Sequence, residues 1–423
     1  MNRAIVPATK NIERLQLPEV QQAQLDNGVP VYMVNSGEQE VVKIELLFRA
    51  GKWYEGNNLI SDFTNRMLRE GTSTKSAKQL ADEFDYNGAN VQYSVGFENA
   101  TVTLFSLTSK AEMMLPLLYE VLTDASFPQG ELDTIINNRR QRLKVELEKN
   151  DFVANRNFVG ALYGQQHPYG RVTHFEDFDR ITVNALREFY KQYYHADNLL
   201  IIISGKFGES LFKTINRVFG GSNWKGTPAN RNITYAIESS SQLTHHTEKP
   251  DSVQTAVMVG SLSINKHHPD FAKLSVLNTL FGGYFGSRLM ANIREEKGYT
   301  YGIHSSLLSY PHGGFIEISS EVGKEVREAT LHEIGFEINR LRSEPVSEEE
   351  LQTVKNYMSG NMMRSIDGAL KFSDTLKGLI IYGQSTDYIH QLLKTVQEVT
   401  PAQLHELANR YFDFSKMYKV TVG

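Results

Sequence analysis

The segment ITVNALREFYKQYYHADNLLIIISG, ending at Gly205, aligns without a gap with VTPAQLHELANRYFDFSKMYKVTVG, ending at Gly423. The offset is 218 residues, and it sets Thr182 against Thr400, Leu186 against Leu404, Glu188 against Glu406 and Tyr193 against Tyr411. Each copy predicts a threonine-capped amphipathic helix that feeds a β-strand. Just upstream, Tyr163-Gly164-Gln165 answers Tyr382-Gly383-Gln384. A repeat this long is no solenoid. It requires one fold to be used twice.

The earlier segments repeat in kind. Strands are expected at Val41 to Ala50 and at Ser252 to Leu262, followed by helices at Leu59 to Arg69 and His268 to Leu280. Further strand pairs follow at Asn90 to Phe97 with Thr101 to Leu107, and at Tyr301 to Leu308 with Gly314 to Glu321. Long helices then close each set, Ser109 to Thr123 and Gly323 to Arg342. The expected fold is α+β: two homologous domains, each an antiparallel sheet with helices packed on one face. Gly220, Gly221, Ser222, Asn223, Gly226, Pro228, Asn230 and Asn232 crowd together, followed by Ser239 to Ser241, and read as the seam. The expected division is 1–222, a linker over 223–242, and 243–423.

Composition removes several function classes. The 423 residues include no cysteine, so thiolate nucleophiles, disulfides and Cys-based metal sites are excluded. The net charge of −5 argues against binding nucleic acid through its phosphates. The longest aliphatic run is Leu199 to Ile203, against about 20 apolar residues for a membrane helix. The opening MNRAIVPATKNIERL has no apolar signal core, which makes the cytoplasm the expected location.

Most motifs of hydrolytic chemistry fail. His332-Glu333 and His405-Glu406 lack a second histidine at i+4, where Phe336 and Asn409 stand. His245-His246 and His267-His268 are neighbours whose side chains diverge. Neither a P-loop nor a GxSxG serine motif occurs. Gly282-Gly283-Tyr284-Phe285-Gly286 precedes a helix but follows no βαβ strand, so a nucleotide reading is weak.

The stretch LISDFTNRMLREGTS, Leu59 to Ser73, resembles the inverted-zincin metallopeptidases (insulinase, pitrilysin and mitochondrial processing peptidase), whose helix is of the type HFLEHMLFKGT. Phe63, Met67, Leu68, Gly71 and Thr72 match. The two histidines fall on Asp62 and Arg66, and the glutamate on Asn65. The family's third ligand, a glutamate on a later helix, falls at Glu146, with Glu148 as the alternative register. Arg66 would place a fixed cation where the dication sits, Asn65 cannot take a proton, and one carboxylate does not make a site that usually needs three protein ligands. Asp62 and Arg66 at i and i+4 also suit a surface ion pair. The resemblance therefore implies no zinc in this chain.

It extends over nearly the whole sequence. LDNGVPVYMVNSGEQEVVKIELLFRAGKWYE resembles the family's opening hairpin, and YNGANVQYSVGFENATVTL its next one. FGGYFGSRLMANIREEKGYTYGIHSS resembles its glycine loop, helix and strand, of the type LLGGGxSSRLFQELREKRGLAYSV. Within it, Arg294 and Tyr301 match the family's arginine and tyrosine. In two-chain bacterial members one subunit carries HxxEH and the other supplies this pair to hold substrate. The resemblance thus implies a non-catalytic, substrate-binding subunit that forms half of a clamshell chamber. Zinc would belong to an HxxEH-bearing partner and peptides would be the substrates. A homodimer is an option in isolation. Arg294 would also complement a helix C-terminus capped at Gly298, and Tyr301 suits a strand start. The alternatives are a scaffold or peptide-holding protein without proteolysis, and a self-sufficient hydrolase with an unrecognised site.

Overall fold

The computed structural model of the chain describes residues 15–226 and 232–423. Most of the opening segment read above, and Pro228 and Asn230 of the seam, lie outside them. Two compact units form. Residues 18–241 with 368–377 make the N-terminal unit, and 15–17, 242–367 and 378–423 the C-terminal unit.

The N-terminal unit contains β1 (Gln21–Gln24), β2 (Pro30–Asn35), β3 (Val41–Phe48), α1 (Ile60–Met67), α2 (Ala77–Tyr86), β4 (Asn90–Val95), β5 (Ala100–Leu107), α3 (Thr108–Thr123), α4 (Gln129–Leu147), α5 (Asn150–Tyr163), α6 (Val183–Tyr193), β6 (Leu199–Gly205) and α7 (Glu209–Phe219). Its sheet runs β1-β2-β6-β3-β5-β4. The C-terminal part continues with β7 (Thr244–Thr247), β8 (Gln254–Ser263), α8 (Phe271–Asn278), β9 (Thr300–Tyr310), β10 (Gly313–Gly323), α9 (Arg327–Ser343), α10 (Glu348–Ser365), α11 (Ala369–Ile381), α12 (Asp387–Glu398), α13 (Pro401–Tyr411) and β11 (Tyr418–Val422). Its sheet runs β7-β11-β8-β10-β9. Position for position this is the order β2-β6-β3-β5-β4 of the first unit, so the sequence repeat is a repeat of topology. The sheets are antiparallel except for one pair in each, β2 with β6 and β7 with β11, which run parallel.

The aligned segments do the same work in both copies. Thr182 and Thr400 each cap their helix, accepting from the amides of Ala185 and Gln403. Gly205 and Gly423 end the following strands at φ +123° and +155°. A Cβ there would press on the carbonyl oxygen of Val41 in one copy and of Gln254 in the other, so glycine is required twice for one reason.

Two separate cores hold the units. In β3, Val42, Ile44, Leu46 and Phe48 alternate into a core shared with Phe63, Met67 and Leu118. Lys43 and Glu45 point to the opposite face, where residues 368–377 cover them. Lys43 Nζ lies 2.7 Å from Asp374 and 3.0 Å from Glu45, and Lys377 Nζ lies 2.6 Å from Glu45. Both faces of β3 are therefore covered, where helices on one face alone were expected. The seam residues after Asn232 are tied down: Glu238 and Ser240 donate their amides to Tyr163 and Ala161, and Tyr235 donates its hydroxyl to the Trp53 carbonyl. Among the described residues no helix is long and apolar enough to cross a membrane.

Candidate functional site

Helix α1 is started from outside. Glu55 is buried, and its carboxylate accepts from the Leu59 amide (3.3 Å), the Ser61 amide (3.0 Å) and the Ser61 hydroxyl (2.7 Å). The two amides are donors that a helix start otherwise leaves unpaired. Burial nevertheless raises the Glu55 pKa, against the pull of Ser61 and Arg171. Leu59 enters the helix at φ +76°, a left-handed conformation unusual for a leucine. Ile60, Phe63 and Met67 then bury one face.

Asp62, Asn65 and Arg66, the positions that the resemblance sets against the zinc ligands and base, lie on this helix. Asp62 Oδ2 receives Arg66 Nε at 2.9 Å and Arg139 Nη2, from α4, also at 2.9 Å. Asn65 is 1% exposed. Its amide donates to the carbonyls of Ser94 (3.0 Å) and Thr101 (3.4 Å), and its oxygen accepts from the Tyr194 hydroxyl (3.1 Å). Glu146 pairs with Arg142 Nε at 2.7 Å. Glu148, the alternative register, sits exposed at the end of α4.

This donor set does not fit a zinc ion. Asp62 is bracketed by two guanidiniums and Glu146 is paired with a third. Asn65 has both ends of its amide in hydrogen bonds. No group of three or more His, Asp or Glu side chains among the described residues is placed to hold a metal.

The same region forms a cavity of about 280 Å³. Arg139, Arg142, Leu143 and Glu146 of α4 line it at i, i+3, i+4 and i+7. Phe152, Asn155, Arg156 and Val159 of α5 line it at the same spacing. Leu59, Arg171, Val172, Thr173 and Phe178 complete the wall. Sequence reasoning singled out Glu146 and missed the arginines. The run NNRRQRLKVEL carried the signal, with Arg139 and Arg142 one turn apart on the face of Glu146.

Arg294 and Tyr301 lie in the C-terminal unit. Arg294 sits on the π-helical segment Met290–Glu296, and Gly298 follows at φ +66°. Arg294 Nε donates to the Tyr301 carbonyl at 3.0 Å, Nη1 lies 3.5 Å from Glu295, and the guanidinium stacks 4.7 Å from the centre of the Phe285 ring. The structure joins the two residues, but through the tyrosine's backbone. The Tyr301 ring is 97% exposed and Phe285 is 64% exposed. Phe285 stood in the glycine stretch without being singled out, and the motif signals nothing about its exposure.

The family model "Insulinase (Peptidase family M16)" matches residues 31–168, and "Peptidase M16 inactive domain" matches residues 180–358. The uncharacterized zinc protease YmxG of Bacillus subtilis is 25% identical over 391 residues, covering 91% of this chain and 94% of the relative. The non-peptidase homolog YmxG of Helicobacter pylori is 20% identical over 384 residues, covering 88% and 87%. Among solved structures, a peptidase M16 inactive domain from Pseudomonas fluorescens superposes with a TM-score of 0.87 at 28% identity, covering 96% of this chain and 98% of that one. A protease from Helicobacter pylori shares the fold at a TM-score of 0.84 and 16% identity, covering 96% and 100%. The chain is a zinc-protease homologue of inactive type. With one family model on each half and the same two-unit fold in its neighbours, it belongs to the insulinase family, peptidase family M16.

Proposed function

We propose that this chain is the non-catalytic, substrate-binding subunit of a zinc-dependent peptidase. It pairs with an HxxEH-bearing homologue that supplies zinc and the general base, and the pair degrades or processes peptides. The observation that carries this reading is the contrast between two sites of one chain. The zinc-helix positions Asp62, Asn65 and Arg66 are tied into ion pairs and hydrogen bonds of their own. Arg294 is braced by Phe285 and the Tyr301 carbonyl, and the Tyr301 side chain is exposed. A guanidinium and a phenol both donate to peptide carbonyls, and an extended peptide adds readily to a sheet edge such as β9.

The test is co-purification from the native host with the HxxEH homologue, followed by cleavage of quenched peptides. Cleavage by the pair and by neither chain alone is the expected result. A second reading, a scaffold or peptide-holding protein without proteolysis, is favoured by the Helicobacter pylori relative named a non-peptidase homolog. A pair that forms and holds peptide without cleaving it would select that reading.

A further inference from the structure

We propose that the cavity between α4 and α5 is an anion-binding pocket that takes a small oxyanion, a carboxylate or phosphate group carried on a compact apolar body. The site lies within the N-terminal unit. It goes beyond the peptidase-subunit reading, because it requires neither a partner chain nor Arg294 and Tyr301.

The charge of the wall is the first argument. Four arginines, Arg139, Arg142, Arg156 and Arg171, line the cavity against the single carboxylate of Glu146. A guanidinium offers five donors in a planar fork that matches carboxylate and phosphate oxygens. The internal partners leave much of that capacity unused. Arg139 reaches Asp62 through Nη2, and Arg142 reaches Glu146 through Nε. Arg171 is more fully engaged: it donates to the backbone carbonyls of Glu55 and Gln166, hydrogen-bonds the Tyr235 side chain and lies 3.9 Å from the buried Glu55 carboxylate.

Arg156 is the second argument. Its guanidinium stacks 5.6 Å from the centre of the Phe152 ring and feels the charge of Asp177 at a distance. Among the described residues it takes neither a hydrogen bond nor an ion pair. Burial lowers its pKa below the ordinary arginine value. A half-buried cation without a hydrogen-bonding partner, facing a cavity, is a cost that an anion relieves.

Size and lining define the ligand. A cavity of about 280 Å³ is at the small end of ligand sites. Leu59, Leu143, Phe152, Val159, Val172 and Phe178 give it apolar walls around the arginines. One or two oxyanion groups on a ring-sized body fit both features. The group can come from a free metabolite or from an acidic peptide side chain.

The experiment is calorimetric titration of the full chain at about 0.15 M salt, where exposed charges are largely screened. Phenyl phosphate and phthalate probe free anions. The blocked peptide Ala-Phe-Asp-Ala and its Asn counterpart probe a peptide source. Binding of at least one acidic probe at one site per chain is expected. Arg156→Gln and Arg142→Gln should each weaken it about tenfold, the effect of losing one charge-assisted hydrogen bond. Lys78→Gln removes the same charge from exposed α2 and should leave affinity unchanged. Circular dichroism checks the fold of each variant, and either arginine variant alone suffices if the other fails to fold. Phosphate or phthalate binding identifies a free anion, and binding of the Asp peptide but not its Asn partner identifies a peptide source. No binding by any acidic probe, or binding that Lys78→Gln weakens as much as the arginine variants do, overturns the proposal.

Discussion

Asp62 and Arg139 stand 77 residues apart in the chain and meet at 2.9 Å, on the same carboxylate oxygen that Arg66 reaches from one helical turn away. A position where the resemblance to the inverted zincins sets a zinc ligand is here the acceptor for two cations. Wild-type protein should therefore carry well under one zinc per chain after dialysis. Writing His, Glu and His into positions 62, 65 and 66 removes Arg66 but leaves Arg139 and Arg142 beside the new ligands. Adding Arg139→Gln should raise zinc occupancy above that of the triple variant, as read by metal analysis. Equal occupancy in both would mean that Arg139 does not control the site.

Asn65 makes a separate obstacle. Its amide faces the carbonyl oxygens of Ser94 and Thr101 at a fully buried position. Asn65→Asp turns that donor into an anion against two acceptors and should cost about 3 kcal/mol at neutral pH. Burial and the two carbonyls raise the new carboxyl's folded pKa above its unfolded value of about 3.9. The penalty should then be small below about pH 4 and grow as pH rises through the folded pKa. Urea unfolding at both ends of this range measures it. A pH-independent loss would mean that the carboxyl has escaped to solvent.

What the sequence could and could not announce follows from the distance over which each interaction acts. The Asp62–Arg66 pair sits at i and i+4, and the pairs Thr182–Ala185 and Thr400–Gln403 lie within a single turn, so all three were legible from spacing. The repeat was legible because it reuses residues, down to the two strand-ending glycines. The partners of Asn65 lie 29, 36 and 129 residues away, and no local pattern marks them. The pairing of Lys43 with Asp374 crosses 331 residues. A charged β3 face reads from sequence as solvated, and only the fold reveals residues 368–377 lying over it. The arginine cavity combines the two cases: each helix face is periodic, while their convergence is tertiary.

The Lys43 cluster makes stability depend on acid. Burial would raise the Asp374 pKa, but the hydrogen bonds and charges of Lys43 and Lys377 hold it below the ordinary value. Its folded pKa lies under its unfolded one, so the stabilisation is present above the unfolded pKa, about 3.9, and is lost as pH falls through the folded value. Asp374→Asn should lower the urea midpoint at pH 6 and converge with wild type near pH 3. Lys43→Met should cost more than Asp374→Asn at pH 6. It leaves the buried Glu45 with Lys377 alone, and breaking a buried pair typically costs about 3–5 kcal/mol. Parallel curves for Asp374→Asn and wild type across the whole range would remove Asp374 from the account.

Arg294, Tyr301 and the Phe285 ring under the guanidinium are tested in complex with the HxxEH homologue of the proposed pair. A donor aimed at an attacked carbonyl gains strength as negative charge develops on its oxygen, and losing one such donor typically costs about 100- to 1000-fold in turnover. Arg294→Ala and Tyr301→Phe should lower turnover on that scale. Zinc content and pair formation, followed by metal analysis and gel filtration, should stay unchanged. Tyr301→Phe is the sharper variant, because it deletes only a hydroxyl from a side chain that is 97% exposed. Phe285→Ala should have a smaller effect of the same sign. It removes the surface on which the guanidinium rests but leaves the 3.0 Å bond from Nε to the Tyr301 carbonyl. A cation stacked on an exposed ring gains about 0.5–1 kcal/mol, so a loss of about two- to fivefold in kcat/KM is expected. If Phe285→Ala equals Arg294→Ala, the ring contacts substrate itself. If all three variants cleave at the wild-type rate, this corner of the C-terminal unit is structural and the substrate is held elsewhere.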